Sequence, residues 1–314
     1  MFKTNNFMAI LVNNHSGETK PWVDALAACL PEFELHSYPA IPSNADIEYA
    51  VVWHHPHGDL MNYPNLKAIL ILGAGMDHIN KELELPDVPI VRLLDPAVGD
   101  EMSQYVLYWV MHFQRDYERY RQQANIKQWQ RFKTPLAREY RVSVLGAGEI
   151  GRYVSERLAI NGFVTQNWSR SKKVIDQVQS FYGDDGLKTM LASTDTLVNC
   201  LPLVDSTHHF LDAHKLSALP KGCNIINISR GAVIADNALL KLLDSGHIAA
   251  AALDTFTLEP LSDESPYWQY DNVFITPHMS GATYPSLASQ VIADNIRRIE
   301  NGEPPFPIYI RPLN

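Results

Sequence analysis

Three polar residues in the last third of the chain have the types and the placement to move a proton beside a bound anion. Arg230 follows the apolar run Asn224 to Ile228 and precedes Gly231. Glu259 stands in Leu258-Glu259-Pro260, shortly after the run Ala249 to Leu253 and Asp254. His278 stands in Thr276-Pro277-His278, directly after Val273 to Thr276. If each run is a parallel strand, all three residues lie just past a strand's C-terminal end, where a doubly wound sheet keeps its ligands. A guanidinium holds a carboxylate by two parallel hydrogen bonds. An imidazole exchanges a proton near neutral pH, and a carboxylate beside it orients the ring and favours its charged form. Next to a nicotinamide these are the parts needed to reduce a 2-keto acid. Each residue alone reads more simply as a loop residue with unrelated partners; the recurrence at three strand ends favours chemistry.

The stretch that would bring a nicotinamide is Arg141 to Arg170, RVSVLGAGEIGRYVSERLAINGFVTQNWSR. Val142 to Leu145 reads as a buried strand. Gly146-Ala147-Gly148-Glu149-Ile150-Gly151 is a G-x-G-x-x-G. Ile150, Val154, Leu158 and Ala159 follow at helical spacing, Gly162 sits where a helix C′ residue belongs, and Phe163 to Trp168 reads as a second strand. In such a unit Gly146 permits the turn, Gly148 lets backbone approach a pyrophosphate, and Gly151 lets helix pack on strand. The glycines alone are weak evidence, and a purely structural turn is the alternative; both flanking strands and the helix favour a dinucleotide site. NAD-specific sites place Asp or Glu roughly twenty residues past the glycines, on the ribose 2′-OH. Here Trp168-Ser169-Arg170-Ser171-Lys172-Lys173 holds no carboxylate. Arg170 and Lys172 suit a 2′-phosphate, so NADPH is expected over NADH, unless these cations are only solvated surface charges.

The rest of the chain reads as the scaffold for these groups. Its 314 residues are long enough for two domains. A formal net charge of -9 argues against nucleic acid as a main partner. No apolar run reaches membrane-spanning length, and the N-terminal apolar stretch is too short for a signal peptide. Cys29, Cys200 and Cys223 form no C-x-x-C and read as buried, reduced thiols, so a cytoplasmic location is expected. Before residue 100, strands are expected at Phe7 to Val12, Phe33 to Tyr38, Val51 to Trp53, Ala68 to Leu72 and Val88 to Arg92, with a helix over Pro21 to Leu30. Gly73-Ala74-Gly75 ends one of those strands and allows close backbone approach to a ligand; a plain turn is an equal alternative. Glu101 to about Gln130 reads as one long helix, linking domains or packing on a partner subunit. After Arg170, helices are expected over Asp184 to Ala192, after an Asp212 cap, over Asn237 to Asp244 with Asp236 as cap and Gly246 as stop, and over Tyr284 to Glu300, stopped at Gly302. Thr196 to Leu201 is a further strand, making about six from Arg141 onward. His54, His55 and His57 read as a polar loop rather than a metal cluster, and no metal is expected. Trp129 belongs either to an arm that reaches a neighbouring subunit or to packing within its own chain.

The motifs LGAGEIG, NWSRSKK, NCLPLVDST, INISRGAVI, ALDTFTLEPL and ITPHMSGAT, with VVWHHP and LGAGMDHI in the first half, make the chain similar to the D-2-hydroxyacid dehydrogenase family over nearly its whole length. Within that family it most resembles the bacterial glyoxylate/hydroxypyruvate reductase A branch. The resemblance implies an α/β protein of two doubly wound parallel-sheet domains: a Rossmann dinucleotide-binding domain over 101–283, inserted in a smaller flavodoxin-like substrate domain over 1–100 and 284–314. It implies NADPH-dependent reduction of glyoxylate and hydroxypyruvate, and a homodimer with the 101–130 helix at its interface. It implies that Arg230 binds the substrate carboxylate and keto oxygen, and that His278 is the general acid with Glu259 paired to it. It implies that the backbone of Ala74 and Gly75 grips the carboxylate and that Trp53 lines a small pocket. It also implies cofactor contacts from Gly146, Gly148, Glu149, Ile150, Gly151, Ser169, Arg170, Ser171, Lys172, Leu201, Pro202, Thr207, Ile228, Asp254, His278 and Gly281. Asp254 matches the residue that contacts the nicotinamide amide. Ser229 and Thr255 depart from the family, where Ala and Val are frequent, which leaves fine substrate preference open. The chain's end soon after the last helix is expected to leave no room for a regulatory domain. The alternatives are another NAD-dependent D-2-hydroxyacid dehydrogenase and a non-catalytic dinucleotide sensor; the intact Arg, Glu and His set speaks against the sensor.

Overall fold

The computed structural model describes residues 8–15 and 17–311. The expected strand start at Phe7 and the end of the tail, residues 312–314, lie outside the described residues. The chain divides into two compact units, one of residues up to Val98 with those from Thr283 onward, the other Gly99–Ala282.

The first unit is built on β1 (Ala9–Asn14), α1 (Lys20–Cys29), β2 (Glu34–Ser37), β3 (Ile47–Trp53), β4 (Ala68–Ile71), α2 (Asp77–Asn80) and β5 (Ile90–Val91). Its sheet is parallel in the order β2-β1-β3-β4-β5. That order reverses between β1 and β3, which is the flavodoxin-like doubly wound arrangement. Alternate residues of β1 explain why both faces are covered. Ile10 and Val12 pack with Trp22 and Leu26 of α1, while Ala9 and Leu11 pack with Leu60 and Ile79 on the other face. A strand buried on both faces reads as a continuous apolar run, as β1 does.

The second unit carries α3 (Pro96–Gln114) from Gly99 onward, α4 (Tyr117–Asn125), β6 (Arg141–Leu145), α5 (Glu149–Ile160), β7 (Val164–Ser169), β8 (Gln179–Tyr182), α6 (Gly183–Leu191), β9 (Thr196–Asn199), α7 (Ala213–Ser217), β10 (Cys223–Asn227), α8 (Asp236–Asp244), β11 (Ile248–Leu253) and β12 (Val273–Ile275). Its sheet is parallel throughout, in the order β12-β11-β10-β9-β6-β7-β8. The order reverses at β6, so the chain winds outward in both directions from the strand that precedes the glycines. α9 (Pro285–Glu300) returns to the first unit, where Ala288, Ile292 and Ile296 pack beside α1.

The expected element pattern holds with four corrections. The sheet of the second unit has seven strands rather than six; β8 is a short edge strand with little buried side chain, so it carries no apolar signal. The single helix expected over residues 101–130 is two helices. Asp116 takes a left-handed backbone, φ 56°, and residues 128–136 beyond α4 are not helical. Asp tolerates that state better than most residues, so no Gly or Pro was needed to mark the break. Asp236 does not cap α8; it is the first helical residue, after Ala235, and its carboxylate instead accepts from Thr257 and Tyr267. Of the three free cysteines only Cys223 is buried, with Cys29 and Cys200 half-buried. Other boundary devices are as expected: Asp212 accepts from the Lys215 N–H at 2.8 Å, and Gly162 and Gly246 take positive φ after α5 and α8.

Candidate active site

The candidate phosphate-binding unit is built from β6, α5 and β7. Gly146 turns the chain at φ 102°, and its N–H donates to the Trp168 carbonyl at 2.8 Å, so the glycine loop hangs from the end of β7. Gly151 is forced by contact: a Cβ there would lie 2.0 Å from the Gly146 carbonyl oxygen. Gly148 precedes α5 and faces open space, with nothing within 4 Å of where a Cβ would stand. An open, side-chain-free approach to the first N–H groups of a twelve-residue helix is the shape a pyrophosphate needs, so the residues present fit a dinucleotide. Gly162 and Phe163 close α5, donating to the carbonyls of Ala159 and Leu158 at 2.9 and 3.2 Å.

Ser169, Arg170, Ser171 and Lys172 follow β7. Ser169 Oγ donates to the Ser171 carbonyl at 2.8 Å, and Arg170 and Lys172 are exposed. Among the described residues no ion pair engages either cation. Lys173, to which the sequence assigns no role, donates to the Ala147 carbonyl at 3.0 Å and ties this segment to the glycine loop. Nothing in the run of two lysines distinguishes it. Leu201 and Thr207 are buried; the Thr207 hydroxyl accepts from the Val204 N–H and lies 2.6 Å from the Pro202 carbonyl, bracing the turn after β9. Ser229 bonds to the Leu201 carbonyl, which gives this departure from the family pattern a partner, whereas the buried Thr255 hydroxyl has none among the described residues. Ile228 is buried and Gly281 half-buried.

The residues expected to handle a proton come together in the second unit. His278 Nδ1 and Glu259 Oε2 are 2.7 Å apart, with side chains 45% and 35% exposed. Glu259 Oε1 accepts the Phe256 N–H at 2.9 Å. Burial alone would raise the Glu259 carboxyl; the hydrogen bonds from His278 and the Phe256 N–H outweigh it, and the charges of His278 and Arg230 add to them, so the carboxyl is held below its ordinary range. Arg230 donates to the Ser229 carbonyl at 2.7 Å, and its own carbonyl accepts from Asn227. Gly231 fastens this turn to the Glu259 loop: a Cβ on it would lie 1.9 Å from the Phe256 carbonyl carbon. Asp254 is 0% exposed, and its carboxylate is engaged by Thr276 and by the N–H groups of Met279 and Ser280.

Trp53, Ala74 and Gly75 belong to the first unit. Trp53 ends β3 and stands edge-on to His54 and His78, with centroids 5.1 and 4.9 Å away. Gly73 makes this possible, since a Cβ there would meet the indole at 2.7 Å. Ala74 and Gly75 are half-buried. His55 and His57 of the same loop lie 3.2 and 3.0 Å from the buried Glu82 carboxylate. Trp129, in contrast, is fully exposed and packs on none of the described residues.

Residues 107–280 match the model of the D-isomer specific 2-hydroxyacid dehydrogenase family, NAD binding domain. Glyoxylate/hydroxypyruvate reductase A of Photorhabdus laumondii is 35% identical over 302 residues, which is 94% of this chain and 96% of that protein. A D-isomer specific 2-hydroxyacid dehydrogenase of Xanthobacter autotrophicus Py2, solved in complex with NADPH and MES, is 36% identical with a TM-score of 0.92, covering 97% of this chain and 98% of that one. The NADPH-dependent glyoxylate/hydroxypyruvate reductase of Sinorhizobium meliloti, solved with NADP and sulfate, is 31% identical with a TM-score of 0.90, over 96% and 98% of the two chains. The chain therefore belongs to the D-isomer specific 2-hydroxyacid dehydrogenase family.

Proposed function

We propose that this protein is an NADPH-dependent reductase of small 2-keto acids, converting glyoxylate to glycolate and hydroxypyruvate to D-glycerate. The observation that carries the reading is the 2.7 Å contact of His278 Nδ1 with Glu259. It leaves Nε2 as the ring nitrogen that faces away from the carboxylate and can reach a substrate. The named activity of the Photorhabdus and Sinorhizobium relatives supports the substrate class.

NADPH, when bound, supplies the hydride that adds to the keto carbon. Arg230 holds the substrate carboxylate and keto oxygen, drawing electron density from the carbonyl. His278 delivers one proton to that oxygen, so the C=O bond becomes an alcohol, and the imidazole is reprotonated from water. Glu259 keeps the ring in register for the transfer. Trp53 and the backbone of Ala74 and Gly75 orient the substrate and limit its size. Gly146, Gly148, Glu149, Ile150 and Gly151 hold the pyrophosphate, and Ser169, Arg170, Ser171 and Lys172 hold the 2′-phosphate. Leu201, Pro202 and Thr207 lie along the adenosine half. Ile228, Asp254, His278 and Gly281 serve the nicotinamide end. The lack of a carboxylate after β7 and the NADPH and NADP bound by the two solved relatives support this cofactor. The reading extends to a cytoplasmic homodimer: three free cysteines fit a reducing compartment, and no described helix is long and apolar enough to cross a membrane.

The test is NADPH oxidation followed by absorbance with glyoxylate, hydroxypyruvate and pyruvate, repeated with NADH. The expected result is a higher kcat/KM for glyoxylate or hydroxypyruvate than for pyruvate, and a preference for NADPH. His278→Ala should lose about 10²–10⁴ in kcat while still binding NADPH. Near-native turnover in His278→Ala overturns the mechanism. No turnover with any keto acid, together with nucleotide-dependent binding of another protein, favours a sensor.

A further inference from the structure

One residue, Asp254, accepts four hydrogen bonds from the loop that carries His278. The Asp254 backbone carbonyl accepts the His278 N–H at 2.8 Å. Its Oδ1 accepts from Thr276 Oγ1 at 2.6 Å and from the Met279 N–H at 2.9 Å, and its Oδ2 accepts the Ser280 N–H at 2.9 Å. Thr276 Oγ1 also lies 2.8 Å from the hydroxyl of Tyr105, on α3. The direction of that last bond follows from the others. A carboxylate offers only acceptors, so the single Thr276 hydroxyl proton is used on Asp254. The Thr276 oxygen is then the acceptor, and Tyr105 is the donor. Burial pushes the Tyr105 hydroxyl up to about 12, so it keeps its proton at working pH. Packing does not replace this bond: Thr276, Met279 and Ser280 line a cavity of about 300 Å³ together with Tyr105, Tyr108 and Trp109.

We propose that Tyr105 and Thr276 are positioning residues for His278, their hydroxyls completing the clamp on Asp254 that presents the imidazole to Glu259 and to the substrate. The inference rests on the general-acid role given to His278 above. A hydroxyl chain of this kind controls geometry rather than affinity, and small misplacements of a reacting group are costly.

Thr276→Val keeps the side-chain shape and removes the hydroxyl; Tyr105→Phe removes only the donor. Thr276→Val should lower kcat about tenfold and Tyr105→Phe about threefold, with the glyoxylate KM and the NADPH Kd changed less than about twofold. The acid limb of the kcat/KM profile should move to higher pH in both, because a loosened His278 no longer holds the Glu259 carboxyl down. Arg230 is the other charge that lowers Glu259, and it is untouched. Thr276→Ser should restore kcat and the acid limb. The double variant should be no worse than Thr276→Val, since the Tyr105 hydroxyl then has nothing left to donate to. A lowered Tm with wild-type kcat and an unmoved acid limb in Tyr105→Phe and Thr276→Val overturns the inference, and Tyr105→Phe decides alone if Thr276→Val does not fold. If the wild-type chain reduces no keto acid, the functional reading fails separately. The ¹H NMR resonance of the His278 Nδ1 proton on Glu259 then still reads the clamp: its loss in Tyr105→Phe supports the inference, and its persistence unchanged overturns it.

Discussion

His278 stands in a left-handed backbone conformation, φ 50°, which costs a residue with a Cβ about 1–2 kcal/mol. Two bonds from its N–H, to the Asp254 and Thr276 carbonyls, and one from its ring to Glu259 offset that cost and point the imidazole one way. The carboxylate partner has a sign that can be worked out. Glu259 titrates below its ordinary value in the folded chain, so it contributes stability at pH values above the ordinary carboxylate range of about 4.3, and that contribution is lost as pH falls through its lower folded value. Glu259→Gln retains the size and one acceptor but not the carboxylate charge beside the ring. Its kcat/KM for glyoxylate should fall about a hundredfold at neutral pH. Its Tm should also fall less steeply than wild type between about pH 5 and pH 3. Parallel Tm curves in that range, or unchanged kcat/KM, would show that the pair is not what the acid step uses. Arg230, Glu259 and His278 were legible as candidates because each follows an apolar run of obvious strand character. Tyr105 and Lys173 were not. Tyr105 and Tyr108 look alike in the helix pattern, and only the fold shows that one hydroxyl reaches Thr276.

At the scale of elements, two glycines separate what the chain needs from what a ligand needs. Gly231 lies against the backbone of Phe256 and Thr257, closer than any Cβ could. Gly231→Ala must push the Arg230 turn away from the Glu259 loop. The expected outcome is a loss of roughly 2–3 kcal/mol, read as a Tm about 5 °C lower or more, with kcat falling further than NADPH affinity. Gly148 has the opposite character: its backbone, φ −71° and ψ −174°, suits alanine, and nothing in the chain is near. Gly148→Ala should leave Tm within about 1 °C while weakening NADPH binding by about tenfold or more, measured by titration of nucleotide fluorescence. Unchanged NADPH affinity in Gly148→Ala would remove the pyrophosphate from this loop. The β6-α5-β7 unit was readable down to its C′ glycine because strand, turn, helix and cap all carry local signals. The break between α3 and α4 was not, because it depends on one aspartate adopting a left-handed turn inside an otherwise helical composition. β8 escaped because a half-exposed edge strand has no apolar alternation to show.

At the scale of the whole molecule, the surface between α3 and β6 is the part that does not look finished. Tyr108, Met111, Tyr117, Ile126, Trp129 and Leu136 are all large, apolar and exposed within one stretch of an otherwise acidic chain. Single exposed apolar residues are ordinary, but a concentration of them with a fully exposed tryptophan supports the proposed interface. Burying one indole removes about 150–250 Å² from water, worth roughly 4–6 kcal/mol before the costs of association. The proposed homodimer through this stretch gives those side chains a partner of the same kind, since a two-fold contact needs only a patch that complements itself. Light scattering should therefore return twice the 35.4 kDa chain mass at micromolar concentrations. Ile126→Ser combined with Trp129→Ser should shift the mass toward one chain on dilution, with Tm of the remaining fold nearly unchanged because neither side chain is buried in it. A single-chain mass for the wild type at every concentration would refute the dimer. A wild-type dimer that the double substitution leaves intact would instead move the interface away from this stretch.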